Sequence, residues 1–168
     1  MKKALIYVFV FVLQISYSQD MTTTKIGNLL NSVSDDIIKS ENQWHFKIKE
    51  IPLVCIVDSN HNRMRIISPI AESDSLSSEL KTATLAANFH STLDVRYAIA
   101  DNVLWSVFVH PLKELTEQQT LDAVNQVCHA SKNFGSSFSS SSLVFPERKQ
   151  TSEIEHVITQ EKQLVDRI

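Results

Sequence analysis

The chain has 168 residues, a formal net charge of −3 and an apolar fraction of 43%. That is one domain's length with enough apolar surface for a core, so disorder throughout is excluded, and the mildly acidic balance argues against nucleic acid as a partner. Gly27 and Gly135 are the only glycines, which excludes a Gly-rich phosphate loop and a dinucleotide fingerprint.

Residues 1–18 read as a secretory signal. Lys2 and Lys3 precede an apolar run from Ala4 to Ile15, and Ser16, Tyr17 and Ser18 make a small, polar exit. Positive head, apolar run and small exit is the order of a cleaved export segment, and the run is short for a membrane span; an uncleaved anchor is the alternative. The exit carries no Cys, which argues against lipid attachment. The expected product is periplasmic or extracellular, meets the membrane only through its signal, and is more acidic by the two lost lysines.

The spacing of Ile26, Leu29, Leu30, Val33, Ile37 and Ile38 predicts a helix over 22–42. The period then changes. Trp44, Phe46 and Ile48 alternate with His45, Lys47 and Lys49, the pattern of a half-buried strand, and Ile51 to Val57 is apolar enough for a more central one. These read as two antiparallel strands, with one bent strand as the alternative. Asp58 to Asn62 is a polar turn, and Arg63 to Ile70 alternates again. A second helix is expected over 73–90, with Ser73, Asp74 and Ser75 as cap candidates and a thin stripe of Leu76, Leu80, Ala83 and Ala87; Leu85 and Phe89 lie beside that stripe. Val95 to Ala100 and Val103 to His110 flank Asp101-Asn102, a hairpin signal, because Asp and Asn tolerate left-handed backbone. Trp105, Val107 and Val109 share one face of the second of these strands. Thr116 begins a third helix, with Gln119 placed for a capping box and Leu121, Val124, Val127, Cys128 and Ser131 on its inner face. Gly135 suits its end. Ser136 to Ser142 reads as a flexible or extended linker. The organisation is a signal over 1–18, an α+β domain over 19–145 in the order α-β-β-β-α-β-β-α, and a charged tail over 146–168. The tail's apolar positions Ile154, Val157, Ile158, Leu164, Val165 and Ile168 keep a helical face, to pack on its own sheet or on a partner.

No catalytic cluster emerges. Asp58-Ser59-Asn60-His61-Asn62 begins like a calcium loop, but Arg63 stands where Gly is required and Pro69 where a bidentate Glu is required. The six histidines form no metal pair at helical spacing, although His45 and His61 could approach across a hairpin. No serine sits on a recognisable nucleophile turn, and neither cysteine has an obvious activating neighbour. Cys55 and Cys128 are a possible disulfide in an oxidising compartment; two buried free thiols are the alternative. No catalytic residue, cofactor or metal site is assigned. Arg63, Arg65 and Arg96 alternate with apolar residues on predicted strands. They are either a solvated face or, with Asn88, a patch that binds carboxylate-bearing partners.

Four stretches carry a family resemblance: Asp58 to Ile70 with Arg63-Met64-Arg65-Ile66 and Ser68-Pro69-Ile70; Ala86-Ala87-Asn88-Phe89; Arg96-Tyr97-Ala98-Ile99 before Leu104-Trp105; and His110-Pro111-Leu112 followed by Phe134-Gly135. On these, residues 44–145 resemble the YbjN-type family, similar in fold to type III secretion chaperones. The resemblance implies a twisted antiparallel sheet of about five strands with helices packed on it. It also implies a non-enzymatic protein that binds segments of other proteins and forms homodimers. The export signal and the tail depart from that pattern. The expected function is an exported, non-enzymatic protein-binding or chaperone-like module; the alternative is an envelope protein that binds a small ligand or a metal.

Overall fold

A computed structural model describes residues 20–141. The expected signal over 1–18 and the tail over 146–168 lie outside the described residues. The elements are α1 (Thr23–Val33), β1 (Asp36–Ser40), β2 (Gln43–Ile48), β3 (Ile51–Asp58), β4 (Arg63–Glu72), a 3₁₀ turn (Ser73–Ser75), α2 (Ser78–His90), β5 (Arg96–Ala100), β6 (Val103–His110) and α3 (Glu117–Lys132). The six strands form one antiparallel sheet in the order β1-β2-β3-β4-β6-β5. Among the described residues, no helix is long and apolar enough to cross a membrane.

The sixth strand corrects the expected count. The apolar positions of residues 22–42 keep a helical period, yet the helix stops at Val33. Ser34 caps it by donating from both its backbone N–H and its hydroxyl to the Leu30 carbonyl, at 3.1 and 2.8 Å. Residues 36–40 then pair with β2, placing Ile37 opposite Phe46 and Ile38 opposite His45. Two adjacent β-branched residues lose little by leaving a helix, and a neighbouring strand supplies the backbone bonds.

One alternative is settled and one other expectation changes. Residues 44–58 form two strands rather than one bent strand, joined at Lys49 and Glu50 with φ of 47° and 68°, the sign that two-residue hairpins require. The second helix starts at Ser78 with Ser77 as its cap, accepting from the Leu80 N–H at 3.2 Å. Ser73 is instead buried, its N–H donated to the Asn102 carbonyl at 2.7 Å. The Asp101-Asn102 hairpin forms as expected, with φ of 50° and 60°. So does the capping box of α3, where the Thr116 hydroxyl accepts from the Gln119 N–H at 3.1 Å and the Gln119 amide accepts from the Thr116 N–H at 2.9 Å.

The core lies between one face of the sheet and helices α1 and α3. Trp44, Phe46, Leu53, Cys55, Val57, Met64, Ile66, Leu104 and Phe108 point into it, against Ile26, Leu30, Val124 and Val127. Helix α2 lies beside the edge strand β5 and buries only Thr84 and Ala87. Residues 136–140 of the serine-rich segment are packed rather than a free linker. Phe134 and Phe138 stand edge-on to Tyr97 at 5.9 and 6.1 Å, and the Ser140 hydroxyl accepts from the Leu93 N–H at 2.8 Å. Serine hydroxyls there satisfy loop backbone that burial would otherwise strand.

Candidate binding surface

Residues paired across neighbouring strands point to the same side of a sheet. The register therefore defines one row across all six strands: Ile38, His45, Val54, Ile67, Val107 and Arg96. A second row joins Gln43, Ile56, Arg65 and Val109. All of these alternate with the buried residues, so they lie on the outer face, away from α1 and α3. Val54, Ile56, Ile67 and Val107 shield one another and are half-buried, whereas Ile38 and Val109 are exposed. Trp105, Val107 and Val109 do share a face, and it is this one; the core receives Leu104, Ser106 and Phe108 instead.

The expected arginine patch narrows to two residues. Arg63 and Arg65 both project from β4 on the outer face and are exposed. Arg65 stands between Ile56 and Val109 and has no hydrogen bond or ion pair among the described residues. Arg96 occupies the same face at the backbone, but its guanidinium donates to the carbonyls of Leu93 and Val95 at 2.6 and 2.7 Å and to the Thr92 hydroxyl at 3.3 Å. It holds the loop before β5. Asn88 is not on this surface either: its amide accepts from the Tyr97 N–H at 2.7 Å and donates to the Tyr97 carbonyl at 3.0 Å. A side-chain amide thus occupies backbone groups on the open edge of β5, one way that sheets blunt an edge. The other edge, β1, pairs only with β2 among the described residues.

Asp58 and His61 occupy each other, and both thiols are shielded. Asp58 accepts from the backbone N–H groups of Asn60 and His61, both at 3.1 Å, and pairs with His61 Nδ1 at 2.6 Å. The side-chain bond to His61 leads in holding the Asp58 carboxyl below its ordinary value. The segment that begins like a calcium loop is therefore a turn closed by its own side chains. His45 pairs with Val54, about 13 Å along β3 from Asp58 at the usual strand rise, so the structure does not bring it to His61. Among the described residues, no three of His, Cys, Asp or Glu group as a metal site. Cys55 and Cys128 are both free and buried, not bonded to each other. Burial pushes the Cys55 thiol up to about 12 and Cys128 to about 11, away from nucleophilic thiolates.

Two further features were not visible in the sequence. A cleft of about 360 Å³ lies where β5 stops short of the end of β6, between Arg96, His110 and Asp122. It is partly closed by Gln126, which bonds the Asp94 carboxylate at 3.1 Å and its N–H at 3.0 Å. On α2, Leu85 and Phe89 are 69% and 82% exposed. Their position beside the apolar stripe was the available sequence signal. Only the shallow burial of α2 shows that nothing among the described residues covers them.

No family model and no curated protein matches this sequence. Among solved structures, the chain is similar to a chain of the HopA1–SchA chaperone–effector complex. The identity is 9% and the TM-score 0.53, over 66% of this chain and 90% of that one. It is also similar to a chain of the ExsC–ExsE complex, with 12% identity and a TM-score of 0.49 over 68% and 96% of the two chains. A third similarity is to a chain of the complex between the Yersinia pestis type III secretion chaperone SycH and a stable fragment of YscM2, with 13% identity and a TM-score of 0.48 over 65% and 98%. The α+β fold of this chain, an open antiparallel sheet with helices on one face, is shared with that chain of the HopA1–SchA chaperone–effector complex.

Proposed function

We propose that this protein is a non-enzymatic, chaperone-like binding module that holds a segment of another protein on the outer face of its sheet. The observation that carries the reading is the pair of rows centred on Val54, Ile56, Ile67, Val107 and Val109, half-buried or exposed, with Arg65 unpaired among them. An apolar strip with one guanidinium suits a peptide that presents apolar side chains and a carboxylate. The fold shared with a chain from a chaperone–effector complex supports a protein as the partner. The polar cleft beside His110 gives less support to a small-ligand reading, because Arg96, Asp94 and Gln126 there are already hydrogen-bonded within the chain. The likeness to the YbjN-type family, a homodimeric state and export to a periplasm or the medium belong to the same proposal. Export rests on residues 1–18 and gives the partner an envelope or extracellular setting.

The test is affinity capture from the native envelope fraction, with the wild-type protein and an Ile67→Glu variant as baits. Ile67 is outward and outside the core, so the variant is expected to fold with an unchanged circular dichroism spectrum. A partner retained by the wild type and lost by the variant supports the proposal. A partner retained equally by both, or substrate turnover abolished by a single substitution, overturns it.

A further inference from the structure

Strand β6 has an open stretch of edge at its C-terminal end. The two-residue turn at Asp101-Asn102 makes Ala100 and Val103 a hydrogen-bonded pair, so Trp105 and Val107, opposite Ala98 and Arg96, also turn their backbone groups to β5. The same alternation turns the backbone N–H and C=O of Val109 to that side, while Phe108 and His110 pair with Ile66 and Met64 of β4. Strand β5 begins at Arg96, so no strand among the described residues meets Val109 there. Continued by two residues, the ladder would set Asp94 opposite Val109. Asp94 is instead drawn off to α3, where its N–H goes to the Gln126 amide oxygen at 3.0 Å and its carboxylate accepts from the Gln126 amide at 3.1 Å. The cleft of about 360 Å³ opens at this place, lined by Val109 of β6 and by Gln119, Asp122 and Gln126 of α3.

We propose that this cleft takes a short extended peptide, which continues β5 by pairing with the Val109 backbone and sets a lysine or arginine side chain between Asp94 and Asp122. An open strand edge offers one donor and one acceptor per paired residue, which an extended backbone matches. The stretch opposite residues 108–110 is roughly 10 Å long at the strand rise, so the segment is short. Charge selects its side chain. One oxygen of Asp94 accepts from Gln126, and one of Asp122 accepts from Gln118 at 2.9 Å; the second oxygen of each has no partner among the described residues. His110 Nδ1 lies 2.8 Å from the Pro111 carbonyl, which calls for its proton there, so the neutral ring keeps Nε2 as a further acceptor. Arg96 also lines the cleft, but its guanidinium is held by the Leu93 and Val95 carbonyls. Acceptors around one open backbone pair suit a cationic peptide rather than a carboxylate. The outer face of the sheet and this edge of β6 are different surfaces, and neither site needs the other.

The experiment follows backbone amides of the full-length protein by NMR. The probes are two capped pentapeptides, one with a lysine between valines and one with glutamate in its place, and n-butylamine as a bare cation. In the free protein the Val109 amide is expected to exchange about tenfold faster than those of Phe108 and His110, which β4 holds. The lysine peptide is expected to slow Val109 exchange saturably and to bind about fivefold tighter than the glutamate peptide. The double substitution Asp94→Asn and Asp122→Asn is expected to abolish that preference; asparagine keeps an oxygen for the Gln126 amide, so the fold is retained. Ile67→Glu, on the outer face, is expected to leave the titration unchanged, which separates this site from the one proposed above. A Val109 amide already protected in the free protein overturns the proposal, because the edge is then closed. Binding of neither peptide, equal affinity for both, or butylamine alone matching the lysine peptide at Val109 overturns it as well.

Discussion

Ser68 and Ser106 face each other across β4 and β6 inside the core, and their hydroxyls have opposite fates. Ser106 contacts the Val127 carbonyl at 3.1 Å and the Ser131 hydroxyl at 2.7 Å, whereas Ser68 is fully buried with no partner among the described residues. A buried hydroxyl without a partner costs its desolvation, while a bonded one contributes about 1 kcal/mol net. Ser68→Ala is therefore expected to leave stability unchanged or raise it by up to about 1 kcal/mol, and Ser106→Ala to lower it by about 1–2 kcal/mol, partly by stranding Ser131. Urea midpoints at equal m-value decide this; a Ser68→Ala loss above that of Ser106→Ala would refute it. Asp58 gives the pH prediction. Its folded carboxyl is held below the ordinary value by the His61 bond, so its contribution is present above the unfolded value and lost as pH falls through the folded one. Glu114 behaves alike, lowered first by the Asn62 amide that donates to it at 3.0 and 3.1 Å. The expected outcome is a Tm difference between wild type and Asp58→Asn that is present at pH 7 and closes below pH about 4, where the free carboxyl takes up its proton. Both carboxylates are exposed, so the difference is small.

Helix α1 is placed on the sheet by a close approach at Gly27. A Cβ built there meets the Trp44 ring, with Nε1 at 3.1 Å, and Trp44 is buried with little room to retreat. Alanine would gain roughly 1 kcal/mol of helix propensity against that contact, leaving its net sign balanced. Leucine at the same position has no such balance. Gly27→Leu is expected to destabilise by about 2 kcal/mol through overpacking, with Trp44 emission shifted to the red. An unshifted spectrum and unchanged midpoint would show that α1 can move. The long strands, the two-residue turn at Asp101-Asn102 and the capping box were within reach of sequence, because each depends on neighbours a few residues away. Strand β1 was not. Its residues Ile37 and Ile38 fit the helical stripe of α1, and pairing with β2 decided the matter. Asn88 shows the same limit: an Asn near a helix end reads as a cap or a contact, and only the approach of Tyr97 reveals that it holds the edge of β5.

Across the whole molecule, the thiols report on cooperativity. Cys55 comes from the middle of the sheet and Cys128 from α3, both buried and free. With the thiols pushed up to about 12 and 11, neither should react with an aromatic disulfide reagent in the native protein at pH 8, and two per chain should react in denaturant. Reaction of Cys128 alone in the native state would mean that α3 opens separately from the sheet, and no reaction in denaturant would mean a disulfide. The later strands and helices, the Asp101-Asn102 turn and the capping box of α3 were determined by the sequence, since periodicity and turn chemistry are local properties. Only the tertiary structure decided the sixth strand, which arginines remain free, and the two apolar surfaces on the outer sheet face and on α2. Alternation along a strand says that two faces differ, but strand order and register fix which residues from six separate segments meet on one face. Burial by distant elements then fixes which of those residues are left for a partner.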